Sequence, residues 1–174
     1  AMVADAAKKA KPGEWISGRG WHQEKWTKRP EPGVEGFPIH ESLSKVSPDN
    51  PVVLEHASGH ATGANAKAME LAGITKATPN PPGGEILKDA TGNPIGVFRE
   101  TAGGLLDRAE RAAREKMPPQ EREAEARRIV QLAAEECLSK GVTTFHDAGE
   151  PFSTIDLFKK MAQEGKLGIR LYVM

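Results

Sequence analysis

Apolar positions along the chain come in short runs separated by turn-forming and charged residues, and the period of those runs predicts the elements. Val52-Val53-Leu54 follows the turn-prone Ser47-Pro48-Asp49-Asn50-Pro51 and reads as a short buried strand. The run then meets two histidines, His56 and His60, split by Ala-Ser-Gly. In "ATGANAKAMELAGI" the positions Ala64, Ala68, Met69, Leu71 and Ala72 fall at helical spacing, with Gly73 as the stop. "GGEILKDATGNPIGVFRE" predicts a hairpin, with Asp89-Ala90-Thr91-Gly92-Asn93 as its turn. "TAGGLLDRAERAAREKM" predicts a short helix, and residues 119–140 a longer one. The longer one starts at Pro118-Pro119, places Ile129, Val130, Ala133, Ala134 and Cys137 on one face, and meets Gly141 just past its end.

Beyond Gly141 the pattern becomes regular. A β-rich stretch at 141–147 is followed by a helical one at 153–164, with Ile155, Phe158, Met161 and Ala162 inward, and by a second strand at 168–174. Such βα alternation predicts parallel pairing and an α/β architecture. The first residues, "ADAAKKAKPGE", read as the end of a helix broken at Pro12-Gly13. "EWISGRGWHQEKW" predicts an irregular segment anchored by a cluster of all three tryptophans, Trp15, Trp21 and Trp26, and "TKRPEPGVEGFP" a surface loop. Met2 behind Ala1 is no natural start, and the last strand would leave a parallel edge open. The chain therefore reads as a piece of a longer polypeptide, with association through exposed sheet edges expected.

Composition removes several function classes. Lysine plus arginine equal aspartate plus glutamate at 24 each, so no net field favours nucleic acid or an anionic membrane. No apolar stretch approaches the roughly 20 residues needed to cross a bilayer, and none has the pattern of a secretory signal; a cytoplasmic protein is expected. One cysteine, Cys137, excludes an internal disulfide framework and a Cys-rich zinc site, and its helical setting suits a small core residue.

Four stretches occur in one order: "WISGRGWHQEKW", "SPDNPVVLEHASGHATGANAKAMELAGI", "PNPPGGEILKDATGNPIGVFRE" and "SKGVTTFHDAG". Together they resemble the N-terminal half of amidohydrolase family 3, in the branch of N-substituted formamide deformylase-like enzymes. The resemblance runs from Trp15 nearly to the end. It implies a metal-dependent hydrolase of amide C–N bonds on a TIM-like (β/α)₈ barrel, acting on a small amide substrate. It also implies a divalent ion, expected to be zinc, in the complete enzyme. On this reading residues 1–117 form an α/β insertion subdomain and residues 118–174 partial barrel βα units. The family's first barrel strand carries a His-x-His pair, which this sequence lacks. The ligands would then lie outside these residues, so no metal is expected on this chain alone and it is expected to be inactive by itself.

Candidate site residues follow from position. His56 and His60 are four apart, as in helical zinc motifs, but Ser58-Gly59 between them argues against a helix. His56 is assigned a structural role, and His22 and His40 none. The resemblance matches Gly59-His60 to a Gly-His at a strand-to-helix junction, with Ser58 where the family has Asp. It implies that His60 lines the substrate side and donates to, or orients, the scissile carbonyl, with Asn65 matched more weakly. Glu100 follows a strand and begins a helix, where a carboxylate favours the helix dipole; the resemblance places a glutamate here too, which implies a carboxylate that reaches the metal or holds a ligand. His146 and Asp147 end the strand "VTTFHDAG", the position where β/α barrels carry chemistry and where a loop cap also fits. Two other readings stand beside this one. The chain could be a free-standing binding module with a Trp-rich contact surface, or another α/β enzyme using His60 with Asp147 as an acid–base pair.

Overall fold

The structure, a computed structural model, describes residues 1–174 and divides into two compact units, Ala1–Ala113 and Arg114–Met174. In the first, a short helix, Met2–Ala7 (α1), precedes a strand, Ile16–Trp21 (β1). A two-stranded ribbon follows, Gly33–Val34 (β2) with Phe37–Pro38 (β3), and then the helix Glu41–Val46 (α2). Val52–His56 (β4) and Ala61–Ala64 (β5) form a hairpin that leads into the helix Ala66–Leu71 (α3). A second hairpin, Gly84–Lys88 (β6) with Pro94–Glu100 (β7), runs into the helix Gly104–Glu115 (α4). The main sheet has the order β1-β4-β5-β7-β6, with β1–β4 parallel and the other pairs antiparallel.

Both faces of that sheet are packed because neighbouring strand residues point opposite ways. Ile86 and Phe98 face one side with Val53, Ala68, Met69 and Leu106. Leu87, Ile95 and Val97 face the other, against Val34, Phe37 and Ile39.

The second unit holds the long helix Pro119–Ser139 (α5), the strand Thr144–Asp147 (β8), the helix Phe152–Gln163 (α6) and the strand Arg170–Val173 (β9). β8 and β9 pair in parallel, as the βα alternation predicts, from Thr144↔Arg170 to Asp147↔Val173. Phe158 and Met161 of α6 are buried as expected and Ile155 is partly buried, but Ala162, also expected inward, is exposed. On α5 only Ala134 is buried, while Ile129 remains exposed. The chain as a whole is mixed α/β, and none of its helices is long and apolar enough to cross a membrane.

Two local expectations are corrected. Residues 61–64 were expected to open a helix but form β5, because Thr62 and Gly63 disfavour helix and the segment gains a strand partner on each side. The helix begins only after Asn65, whose side chain caps it by accepting from the Ala68 N–H at 3.0 Å. The segment after Trp15 was expected to be irregular, yet Ile16–Trp21 is extended and pairs with β4, with a register shift between Arg19 and Trp21.

Asn65 does more than cap. Its Oδ1 also accepts from the Val52 N–H at 2.9 Å, and its Nδ2 donates to the carbonyls of Ser47 and Asn50 at 2.7 and 2.9 Å. The residue has no exposed surface. Every polar atom of the carboxamide is therefore used, and the 47–50 turn, β4 and α3 are tied together through it.

The expected cluster of three tryptophans is also divided. Trp15 packs against the Phe98 side of the sheet. Trp21 and Trp26 stand together on the other, with ring centroids 6.4 Å apart. Trp21 is edge-on to Phe37 at 6.2 Å and to His56 at 4.7 Å, and His22 lies 4.7 Å from His56. The structural role assigned to His56 has a visible basis. Its Nδ1 accepts from the Ser58 N–H at 3.1 Å, so Nε2 carries the proton and faces the Gln23 Oε1 at 3.1 Å. Burial first, and then the neighbouring His22, push the His56 pKa below the ordinary histidine value, while Glu24 pulls it partly back.

Asn65→Ala would leave several buried partners unpaired and should destabilise the protein by about 3 kcal/mol in urea unfolding. The His56 pKa is lower in the folded protein than in the unfolded chain. The unfolded chain binds the extra proton first as pH falls through about 6.5, so the stability present above that pH is lost as pH falls on toward the folded value. The urea midpoint should drop between about pH 7.5 and 5.5, and His56→Gln should flatten that slope whatever its baseline stability.

Candidate functional site

The turn between β4 and β5 and the end of β7 meet at one end of the main sheet's central strands. Gly59, at φ +76°, takes a backbone conformation that side chains disfavour and lets the chain reverse directly after His56. The Ser58 hydroxyl then accepts from the His60 N–H at 3.2 Å and lies 2.8 Å from His56 Nδ1, so one serine links the two histidines. Opposite, the Glu100 N–H donates to the His60 carbonyl at 3.1 Å, continuing the β5–β7 ladder by one step.

The side chains complete the pair. His60 Nδ1 lies 3.2 Å from Glu100 Oε2, with the two side chains 72% and 56% exposed. An ion pair so open to water adds little stability. Its consequence is orientation. Nδ1–H directed at a carboxylate fixes the ring and leaves Nε2 facing outward, as an acceptor when the ring is neutral and a donor when it is protonated. The backbone at Glu100 is unusual: φ 50° and ψ −129° belong to a region that favours glycine, and a glutamate there is strained.

Arg99, next in sequence, does not compete for this carboxylate. Its guanidinium bonds Glu35 at 2.7 Å and Glu85 at 2.9 Å and lies 5.1 Å over the Phe37 ring. Burial pushes the Arg99 pKa down, but Glu85 and Glu35 together outweigh it and hold the cation more firmly. Glu100 is left to His60.

The other sequence-predicted residues lie elsewhere. Asn65, expected near substrate, is buried with all its hydrogen-bonding capacity engaged by the backbone, so nothing remains with which to bind a ligand. His146 and Asp147 belong to the second unit and are adjacent on an extended strand, so they project to opposite faces. His146 packs beside Tyr172 with ring centroids 5.2 Å apart, and Asp147 borders an apolar cavity of about 350 Å³ between α5, α6 and the two strands. The carboxylate beside His60 within its own unit is Glu100. The Trp-rich contact surface of the binding-module alternative reduces to Trp26, 46% exposed, since Trp15 and Trp21 are partly buried.

Three features were missed from sequence: the Ser58 bridge, the Arg99 network and the strain at Glu100. Only the first had a signal, a serine two residues from each histidine, since such hydroxyls often bond backbone nearby. A metal ion needs three or four converging ligands. His60 and Glu100 supply two, and no cluster of three or more His, Cys, Asp or Glu side chains forms in this chain. The residues present do not by themselves fit a metal centre.

Known proteins share sequence and fold with this chain. The protein LONG AFTER FAR-RED 3 of Arabidopsis thaliana is 36% identical over 154 residues, covering 87% of this chain and 23% of its own length. The N-substituted formamide deformylase of Arthrobacter pascens is 39% identical over 98 residues, covering 56% of this chain and 17% of its own. An uncharacterized metal-dependent hydrolase of Pyrococcus horikoshii, known from a crystal structure, has a similar fold. The TM-score is 0.54 at 22% identity, over 98% of this chain and 30% of that one. The chain thus spans less than a third of the length of each of these relatives. The pattern of the amidohydrolase family itself is matched over residues 1–172, and the chain belongs to that family.

Proposed function

We propose that this chain forms the substrate-facing part of a metal-dependent hydrolase that cleaves amide or formamide C–N bonds. The family match over residues 1–172 carries this reading, and the likeness to a formamide deformylase supports the bond type. Residues 1–117 act as the insertion subdomain, and residues 118–174 contribute βα units to a TIM-like barrel. A divalent ion, zinc in the first instance, supplies Lewis-acid polarisation and an activated water in such chemistry. These residues lack a ligand set for it, so it is held by side chains elsewhere in the complete enzyme, and the 174 residues alone turn nothing over.

Within that enzyme His60 meets the substrate. With the ring protonated, its Nε2 donates to the scissile carbonyl oxygen, or orients it, while Glu100 holds Nδ1–H and so fixes the ring. The strained backbone at Glu100 brings its carboxylate to the imidazole, a cost in stability retained for placement. His146 and Asp147, at the end of β8, and Asn65 through its hold on the β5–α3 junction, support the site without touching the reacting atoms.

In the complete zinc-loaded enzyme, amine release from an N-alkyl formamide should fall at least about 100-fold in His60→Ala. Retention of activity within twofold would remove His60 from the site. Failure of the wild-type enzyme across a panel of formamides and amides would remove the bond assignment. Stoichiometric zinc and turnover in the 174-residue chain alone would overturn the division of labour. Glu100→Gly should relieve the backbone strain and raise stability by about 1 kcal/mol in thermal unfolding while lowering kcat. Loss of stability in that variant would show that the conformation carries no strain.

A further inference from the structure

A cavity of about 430 Å³ opens in the first unit on the Trp21–Trp26 side of the sheet, away from any residue assigned above to the reaction. Trp21 and Trp26 form one wall, and Leu43 and Leu54 contribute aliphatic surface. The Trp21 indole N–H is already satisfied by the Leu54 carbonyl at 2.8 Å, so the indole brings aromatic surface and no spare donor. The floor is kept bare at Gly96. At φ +87° it has the backbone of a glycine, and a Cβ there would collide with the Ala64 carbonyl and the His40 side chain.

Charge at this cavity has one sign. Its lining includes Glu31 and Glu41 and no lysine or arginine; His40 is the only other ionisable residue, with Nδ1 engaged 2.9 Å from the Ser44 hydroxyl. The carboxylates of this unit that form ion pairs are Glu35, Glu55, Glu70, Glu85 and Glu100, so Glu31 and Glu41 take no part. Aromatic ring faces carry negative potential and attract cations, as do two carboxylates without counter-charge. We propose that the cavity binds an organic cation, an amine or quaternary ammonium group carried on a small apolar body. The apolar body fills the space between the tryptophans and leucines, and the cationic end meets Glu31 and Glu41. An anion would be repelled, and a neutral apolar molecule would leave both carboxylates without a counter-charge.

Tryptophan fluorescence titration of the purified protein with benzyltrimethylammonium tests this, with benzyl alcohol and benzoate as neutral and anionic counterparts. Saturable quenching by the cation is expected, with benzyl alcohol at least about fivefold weaker and benzoate weaker still. Trp26→Ala should weaken the cation at least about fivefold. The double variant Glu31→Gln, Glu41→Gln should weaken the cation and leave benzyl alcohol unchanged, a readout that a merely structural role would not produce. Both glutamates are exposed, so the fold should tolerate the change, with far-UV circular dichroism as the check. Equal binding of cation and alcohol, or no saturable binding of the cation, would overturn the proposal. So would a folded double variant that binds the cation as tightly as wild type. Because the wild-type selectivity series needs no variant, misfolding of a variant would not protect the idea.

Discussion

The carboxamide of Asn65 has no exposed surface and joins three segments that sequence distance would otherwise leave independent. It takes the first N–H of β4, caps α3, and donates to two carbonyls of the 47–50 turn. The turn continues the chain of dependence, since Asn50 donates in its own right to the carbonyls of Lys11 and Glu14 at the entry to β1. One neutral amide thus sets where β4 begins, where β5 ends and how the N-terminal segment is held against them. Leaving any of these groups unpaired in the interior costs more than the bond itself gains, which gives the arrangement its specificity.

The His60 turn depends on that hub. With both ends of the β4–β5 hairpin fixed, the reversal at residues 57–60 falls at the end of the strands where β7 also ends. Glu100 is drawn into a backbone conformation that glutamate disfavours, and its carboxylate reaches the imidazole. Arg99 is held away by Glu35 and Glu85. A site made of two exposed groups is thereby oriented by buried or fully paired neighbours, the usual way to make a flexible side chain point in one direction.

On the opposite side of the same hairpin, His56 and His22 belong to packing. His56 has both ring nitrogens engaged and is surrounded by Trp21, Phe37 and His22. The two histidines of the β4–β5 turn, four residues apart, therefore differ in kind: one is a buried neutral ring, the other an exposed ring paired to a carboxylate. The Ser58 hydroxyl touches both, lying 2.8 Å from His56 Nδ1 and accepting from the His60 N–H at 3.2 Å.

The long helix, the second hairpin, the strand at Val52 and the parallel βα arrangement of the second unit were legible from periodicity, proline at helix starts and glycine at stops. These are local preferences that neighbouring residues already encode. That His56 and His60 would not share one helix face was legible too, because Ser58-Gly59 does not continue a helix. What tertiary structure alone decided was partnership. Thr62 and Gly63 became strand because β4 and β7 offered them ladder bonds, and Asn65 became a hub because three distant carbonyl and amide groups converge on it. The His60–Glu100 contact spans 40 residues, and neither backbone strain nor a cavity with unpaired carboxylates leaves a mark in local pattern. Local pattern thus determined most of the helices and strands, but not β1 or β5; the meeting of segments far apart in the chain determined those, and which side chains were consumed by the fold and which stayed exposed.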